Sequence, residues 1–170
     1  MMLRKVEVAV LLRSFSRALG VGSPSLRGAN GDEALRIYGA FTAACLQMAL
    51  EDERTTRYVR RRLGEEAFAL GVRLRPLARA CPQGAHGLAS LLYRGIRIEL
   101  AWESDDRARF GPCAFAAHYS PSVCGLMSAF DEGFLRGILN RPEARLEFTC
   151  RITEGAPCCC ARLACVRRDK

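Results

Sequence analysis

The stretch IRIELAWES, residues 96–104, marks where the chain changes character. Ile96, Ile98, Leu100 and Trp102 alternate with Arg97, Glu99 and Ala101, the period of two that describes a half-buried strand. Before it the apolar spacing is helical. EALRIYGAFTAACLQMAL (33–50) repeats Leu35, Tyr38, Phe41, Cys45, Leu46 and Leu50, with Asp32 as the expected N-cap. Ile37, Ala40, Ala43 and Ala44 extend its apolar surface beyond one stripe, so the helix should lie deep or meet a second copy of the chain. EDERTTRYVRRRLGEEAFALG (51–71) reads as a second helix with a bend at Gly64 and a stop at Gly71. A Pro-broken segment, 72–83, then precedes a short helix ending at Gly95.

Beyond 104 the strand signal returns in ARFGPCAFAAHYS (108–120), with His118 and Tyr119 closing that strand. SVCGLMSAFDEGFLRGILN (122–140) is helical again, and Asn140-Arg141-Pro142 ends it. ARLEFTCRI and CCCARLACVRR flank a Thr-Glu-Gly turn and form an expected antiparallel hairpin. The order predicts an α+β fold: N-terminal helices packed on an antiparallel sheet, with a C-terminal cysteine-rich helix-hairpin element. Residues 1–170 suit a single domain, divided into an N-terminal segment and loop (1–31), a helical half (32–95) and a sheet half (96–170). Residues 1–19 are expected to form a strand or an amphipathic segment.

Composition narrows the function classes. Hydrophobic residues are 49% and charged residues 26%, which excludes a disordered or fibrous chain. No apolar run approaches the roughly 18 residues of a membrane span. The basic start superficially matches a signal peptide, but Glu7 and Arg13 cut its apolar run, so a cytoplasmic location is expected. The net charge is +8, yet the basic residues of the middle region alternate with Glu51, Asp52, Glu53, Glu65 and Glu66. No basic patch interleaved with aromatics is present, so direct nucleic-acid binding is not favoured.

Nine cysteines in a chain without export signals point to buried thiols, metal or redox chemistry rather than a disulfide scaffold. Cys124, Cys150, Cys158, Cys159, Cys160 and Cys165 crowd the last third. Glu147-x2-Cys150-x7-Cys158 is the strongest local grouping of zinc donors, and the hairpin should return Cys158 beside Cys150. Strict alternation would put Glu147 and Cys150 on opposite faces, so a twist, a bulge or a ladder edge is needed if they share a metal. Spacing by itself leaves open buried thiols packed as small hydrophobes.

CGLMSAFDEGFLRGILN, then LEFTC, then EGAPCCC resembles the vinyl reductase (4-vinyl reductase) type of ligand-binding module. IYGAFTAACLQ and LGEEAFALGVRL are similar to the opening helices of the transport protein particle subunits, which share that fold. The resemblance covers roughly 35–165. It implies a structural zinc ion held by Cys124, Glu147, Cys150 and Cys158, with Cys160 as a substitute for Cys158. It also implies binding of a hydrophobic or aromatic (hydrocarbon) ligand. Cys165 is expected to be a core thiol, and Cys81 lies near where some transport subunits carry an acylated cysteine.

Tyr38, Phe41, Trp102, Phe115, His118 and Phe134 are the expected ligand-cavity residues, with His118 or Tyr119 supplying an orienting hydrogen bond. His86 is expected at the surface or in a cap. Gly133 and Gly137 allow a close backbone approach, by the sheet, a dimer seam or the cavity. The leading expectation is a zinc-stabilised, homodimeric sensor or carrier of a small apolar molecule. The enzyme alternatives are a tetrapyrrole vinyl reductase subunit and a cysteine-dependent hydrolase. Neither a nicotinamide or flavin fingerprint nor a Cys-His-Asp order supports them. The third alternative is a protein-binding adaptor like the transport particle subunits.

Overall fold

The computed structural model describes residues 2–165, with side chains described for 4–164; the Cys165 thiol lies outside the described side chains. Helix α1 spans Met2–Leu19, α2 Gly31–Ala49, α3 Glu53–Leu74 and α4 Gly84–Gly95. Strands β1 (Ile98–Trp102) and β2 (Arg107–Cys113) precede helix α5 (Pro121–Ile138), which is followed by β3 (Ala144–Cys150) and β4 (Cys159–Cys165). The sheet order is β1-β2-β4-β3 with every pairing antiparallel. The expected α+β class is present. α5 and the β3–β4 hairpin are not a separate helix-hairpin unit, because the closest partner of α5 is α3.

Residues 2–19 form a helix, not a strand. Val8, Leu12, Phe15 and Ala18 recur at helical spacing and are fully or almost fully buried. The N-cap of α2 is Asn30 rather than Asp32: its Oδ1 accepts the Asp32 and Glu33 backbone N–H groups at 3.0 Å. Asp32, the second residue of the helix, instead pairs with Arg4 and Arg97 at 2.5 and 2.7 Å, tying α2 to α1 and to the start of β1. Asp52 caps α3 through Thr55, and Ser120 caps α5 with Pro121 at its first position.

Two expectations about glycine are corrected. α3 passes through both Gly64 and Gly71 and ends only at Leu74, before a single 3-10 segment (Arg75–Ala80) that contains Pro76. Gly71 does not terminate the helix because its missing side chain serves packing. A Cβ at Gly71 would collide with the Phe134 carbonyl oxygen and lie 2.8 Å from the Ile138 nitrogen. From the other side, a Cβ at Gly133 would run into the Gly64 carbonyl, and one at Gly137 into the Phe68 carbonyl. The close approach made by Gly133 and Gly137 is therefore to α3, not to the sheet.

The sheet turns Ile98, Leu100, Ala108, Phe110, Cys159, Ala161 and Leu163 inward onto α4 and α5. Phe110, Tyr93 and Phe134 stack edge to face across this layer, with ring centroids 5.5 and 5.9 Å apart. On the far side of α5 the core continues through Leu63, Ala67 and Leu70 of α3 to Leu12 and Phe15 of α1.

The seam between α3 and α5 has a direct test. Gly133→Ala should lower stability by about 1–3 kcal/mol through overpacking, although Ala favours a helix over Gly by roughly 1 kcal/mol. Gly125→Ala on the same helix meets nothing within 4 Å and should be neutral or slightly stabilising. Equal responses of the two variants in urea unfolding would contradict the seam.

Candidate functional site

Two chemically distinct sites are present among the described residues. The first is a cavity of about 230 Å³ between the N-terminal helices and the sheet, walled mainly by apolar side chains. Of the expected ligand residues, Tyr38, Phe115 and Phe134 line it. Phe41, Trp102 and His118 do not. Phe41 packs edge to face on Phe15 at 5.9 Å. Trp102 closes the contact between α4 and β1, donating from Nε1 to the His86 carbonyl at 3.2 Å with its ring against that imidazole. His118 is not on a strand, since β2 ends at Cys113; it sits in the following turn, packed against Gly39 of α2. Tyr119 does reach the cavity, with its hydroxyl 2.7 Å from Thr42 Oγ1.

One end of the cavity is polar. Asp131, Tyr93, Tyr38, Tyr119, Cys113 and Cys124 meet there. The Tyr93 hydroxyl donates to Asp131 Oδ1 at 2.7 Å, and Asp131 has no ion pair among the described residues. Desolvation pushes its carboxyl up to about 6 from an ordinary 3.8, against the opposing pull of Tyr93 and Arg151. Burial likewise raises the Cys113 thiol to about 11, so it is a neutral wall of the cavity and not a nucleophile. Sequence reasoning missed Asp131. The signal was present: Cys124, Met127, Asp131 and Phe134 follow one another at spacings of three and four along α5, which places an acid inside an apolar stripe.

The second site is on the outer face of the hairpin. The ladder slips between Phe148 and Cys150, so that Cys150 pairs with Cys160 while Phe148 pairs with Ala161. This bulge transfers Cys150 from the inner face of Leu146 and Phe148 to the outer face. Cys158 and Cys160 share that face, two residues apart, and Cys159 between them turns inward, its sulfur accepting the Ile152 N–H at 3.3 Å. The Cys158 and Cys160 sulfurs are 3.8 Å apart, and the Cys150 thiol donates to the Cys158 carbonyl at 3.3 Å. All three sulfurs lie within 4.8 Å of one another and could hold a metal ion. Their mutual hydrogen bonds push the Cys160 thiol up to about 12, a shift that a bound cation would reverse.

The structure thus brings together Cys150 and Cys158 of the expected donor set and joins Cys160 to them, as a companion and not a substitute. Cys124 and Glu147 stand outside this group. Cys124 is on the cavity side, where its sulfur accepts from Arg151 Nη1 at 3.8 Å. Glu147 shares the outer face but pairs with Arg162, further along the ladder, and is exposed.

Arg151 separates the two sites. It follows Cys150, stacks on Phe148 at 4.1 Å, and donates to Ser128 Oγ at 2.6 Å as well as to Cys124. Its other side borders an open cleft of about 850 Å³ carrying Arg60, Arg61, Glu65, Glu132 and Arg136. That cleft is larger but charged and solvated, with Arg61–Glu65 and Arg136–Glu132 already paired, so an apolar molecule gains nothing there. No helix among the described residues is long and apolar enough to cross a membrane. No protein-family model matches the chain, and no curated protein matches it.

Asp131 should leave a signature in the pH dependence of folding. A carboxyl with a folded pKa above its unfolded value holds its proton more tightly when folded. It therefore adds stability below about pH 4, and that contribution is lost as pH rises to about 6. The difference amounts to at most about 3 kcal/mol. Wild type should lose stability relative to Asp131→Asn between those limits and run parallel to it above them, in urea unfolding. A constant difference across the range would show that Asp131 titrates as an exposed carboxyl.

Proposed function

We propose that this chain is a small-molecule-binding module of the vinyl reductase type, a sensor or carrier for a hydrophobic or aromatic ligand, stabilised by a structural zinc ion. The observation that carries the reading is the cavity: an apolar space inside the fold with its few polar groups gathered at one end. Sites for small molecules have this form, apolar walls supplying affinity and a few placed polar atoms supplying orientation.

Zinc at Cys150, Cys158 and Cys160 would bind as a thiolate site completed by a donor from outside that group. It would fix the end of β3 to the start of β4, and with it Arg151, which donates to Cys124 of the cavity wall. Metal binding free energy at such a site is also folding free energy.

Zinc retention and ligand binding should be separable. Phe115→Trp partly fills the cavity and should weaken binding of an apolar fluorescent probe while keeping about one zinc per chain. Cys150→Ala and Cys160→Ala should lose the metal and melt at a temperature that chelator no longer lowers, whereas Glu147→Gln keeps it. A wild type that binds no probe, and whose melting chelator leaves unchanged, would overturn the reading and leave the adaptor role as first choice.

The reading includes a homodimer. Ala40, Ala44 and Met48 of α2 are exposed, Met48 to 71%, and half-buried Ile37 and Phe41 extend the same apolar face. Light scattering should report twice 18.8 kDa, with Ala44→Arg reducing it to a single chain. A monomeric wild type at micromolar concentration would remove the dimer from the account.

A further inference from the structure

The electrostatics of the cavity are one-sided. Its walls carry two carboxyl groups, Asp131 on α5 and Glu7 on α1, and none of its lining residues is Lys, Arg or His. Glu7 is also pushed up by burial, in spite of Arg4 nearby. Asp131 is half-buried and lines the cavity space. Tyr93 occupies Oδ1, while Oδ2 has no hydrogen bond to the protein among the described residues. The nearest cation, Arg151, is engaged by Ser128, Cys124, Glu154 and the face of Phe148.

The other polar atoms at that end are acceptors as readily as donors. The Tyr38 hydroxyl has no hydrogen-bond partner among the described residues, and the Tyr119 hydroxyl shares its contact with Thr42. Phe115, Phe130 and Phe134 add ring faces and edges around the space. A buried carboxylate left without a counter-charge is costly, and a ligand that brings one relieves the cost. Aromatic walls are compatible with a cation and with the apolar body that carries it. An anionic ligand would instead place two like charges in a space with no base to separate them.

We infer that the ligand of this cavity is a compact hydrophobic amine, its ammonium group seated on the Asp131 carboxylate and its apolar body against Phe115, Phe130 and Phe134. The inference rests on the reading of the cavity as a ligand site and names the chemistry that site selects. Above about pH 6 Asp131 is ionised and an alkylammonium is still protonated, so both partners carry their charges at neutral pH.

The test is calorimetry on the full chain at pH 7.5 with three probes of one shape: phenethylamine, 2-phenylethanol and phenylacetate. The amine should bind roughly tenfold or more tighter than the alcohol, the margin expected of a charged over a neutral hydrogen bond, and phenylacetate should not bind. In Asp131→Asn the amine should lose that advantage while the alcohol holds its affinity. Should the Asn variant fail to fold, the three-probe order in wild type and in Glu7→Gln, which should keep most of the preference, still decides. Equal binding of amine and alcohol, or tighter binding of phenylacetate, would overturn the amine while leaving the cavity a ligand site. Binding of none of the three would overturn both.

Discussion

The contact on which the rest of the molecule depends is the backbone-to-backbone approach of α3 and α5. Gly133 and Gly137 face Gly64, Phe68 and Gly71 with no side chain between them, and a methyl group at Gly71, Gly133 or Gly137 would strike main-chain atoms. A helix held so closely on one side has its opposite side placed as well. At 100° per residue, Cys124 and Asp131 fall on the far side of α5 from that glycine pair, with Met127 and Phe134 on the flank between. The seam therefore aims an acid and three soft or aromatic side chains at the space bounded by α1, α4 and the sheet.

A second constraint acts from the sheet. The bulge between Phe148 and Cys150 re-aims one cysteine so that three sulfurs converge on the outer face, while Cys159 and Phe148 stay inside. Arg151 is the next residue in the chain and reaches the other way, to Ser128 and Cys124 of α5. Whatever fixes the hairpin also fixes the arginine that holds Cys124 at the polar end of the cavity. A metal at the thiols would thus support the ligand site without touching it, which is the usual division between a structural ion and a binding pocket.

The architecture was largely legible in sequence because its periodicities are clean: the alternation at 96–104, the apolar spacing of 33–50 and 122–140, and the turn at 153–155 each correspond to an observed element. The first helix was obscured because Glu7 and Arg13 interrupt its apolar run, and only burial of Val8, Leu12, Phe15 and Ala18 reveals the stripe. Gly71 in α3 read as a stop because single-sequence propensity cannot see a partner helix. At the thiol site, spacing found Cys150 and Cys158 but assigned Cys160 a substitute's role, since a bulge changes which residues share a face. Trp102, Phe41 and His118 were chosen as aromatic residues near the right elements; each is used in packing between elements instead. Asp131 was overlooked inside a stripe whose other members drew attention as core.

The central claim is that this fold forms an apolar pocket with an acid at its end free of any ion pair among the described residues. Crystallography of the protein under xenon pressure tests it most directly, because xenon enters dry apolar holes and needs no chemical recognition. The account predicts a xenon site bordered by Phe115, Phe130 and Phe134, lost when Phe115 becomes Trp. A well-packed interior with no xenon at those rings would contradict it.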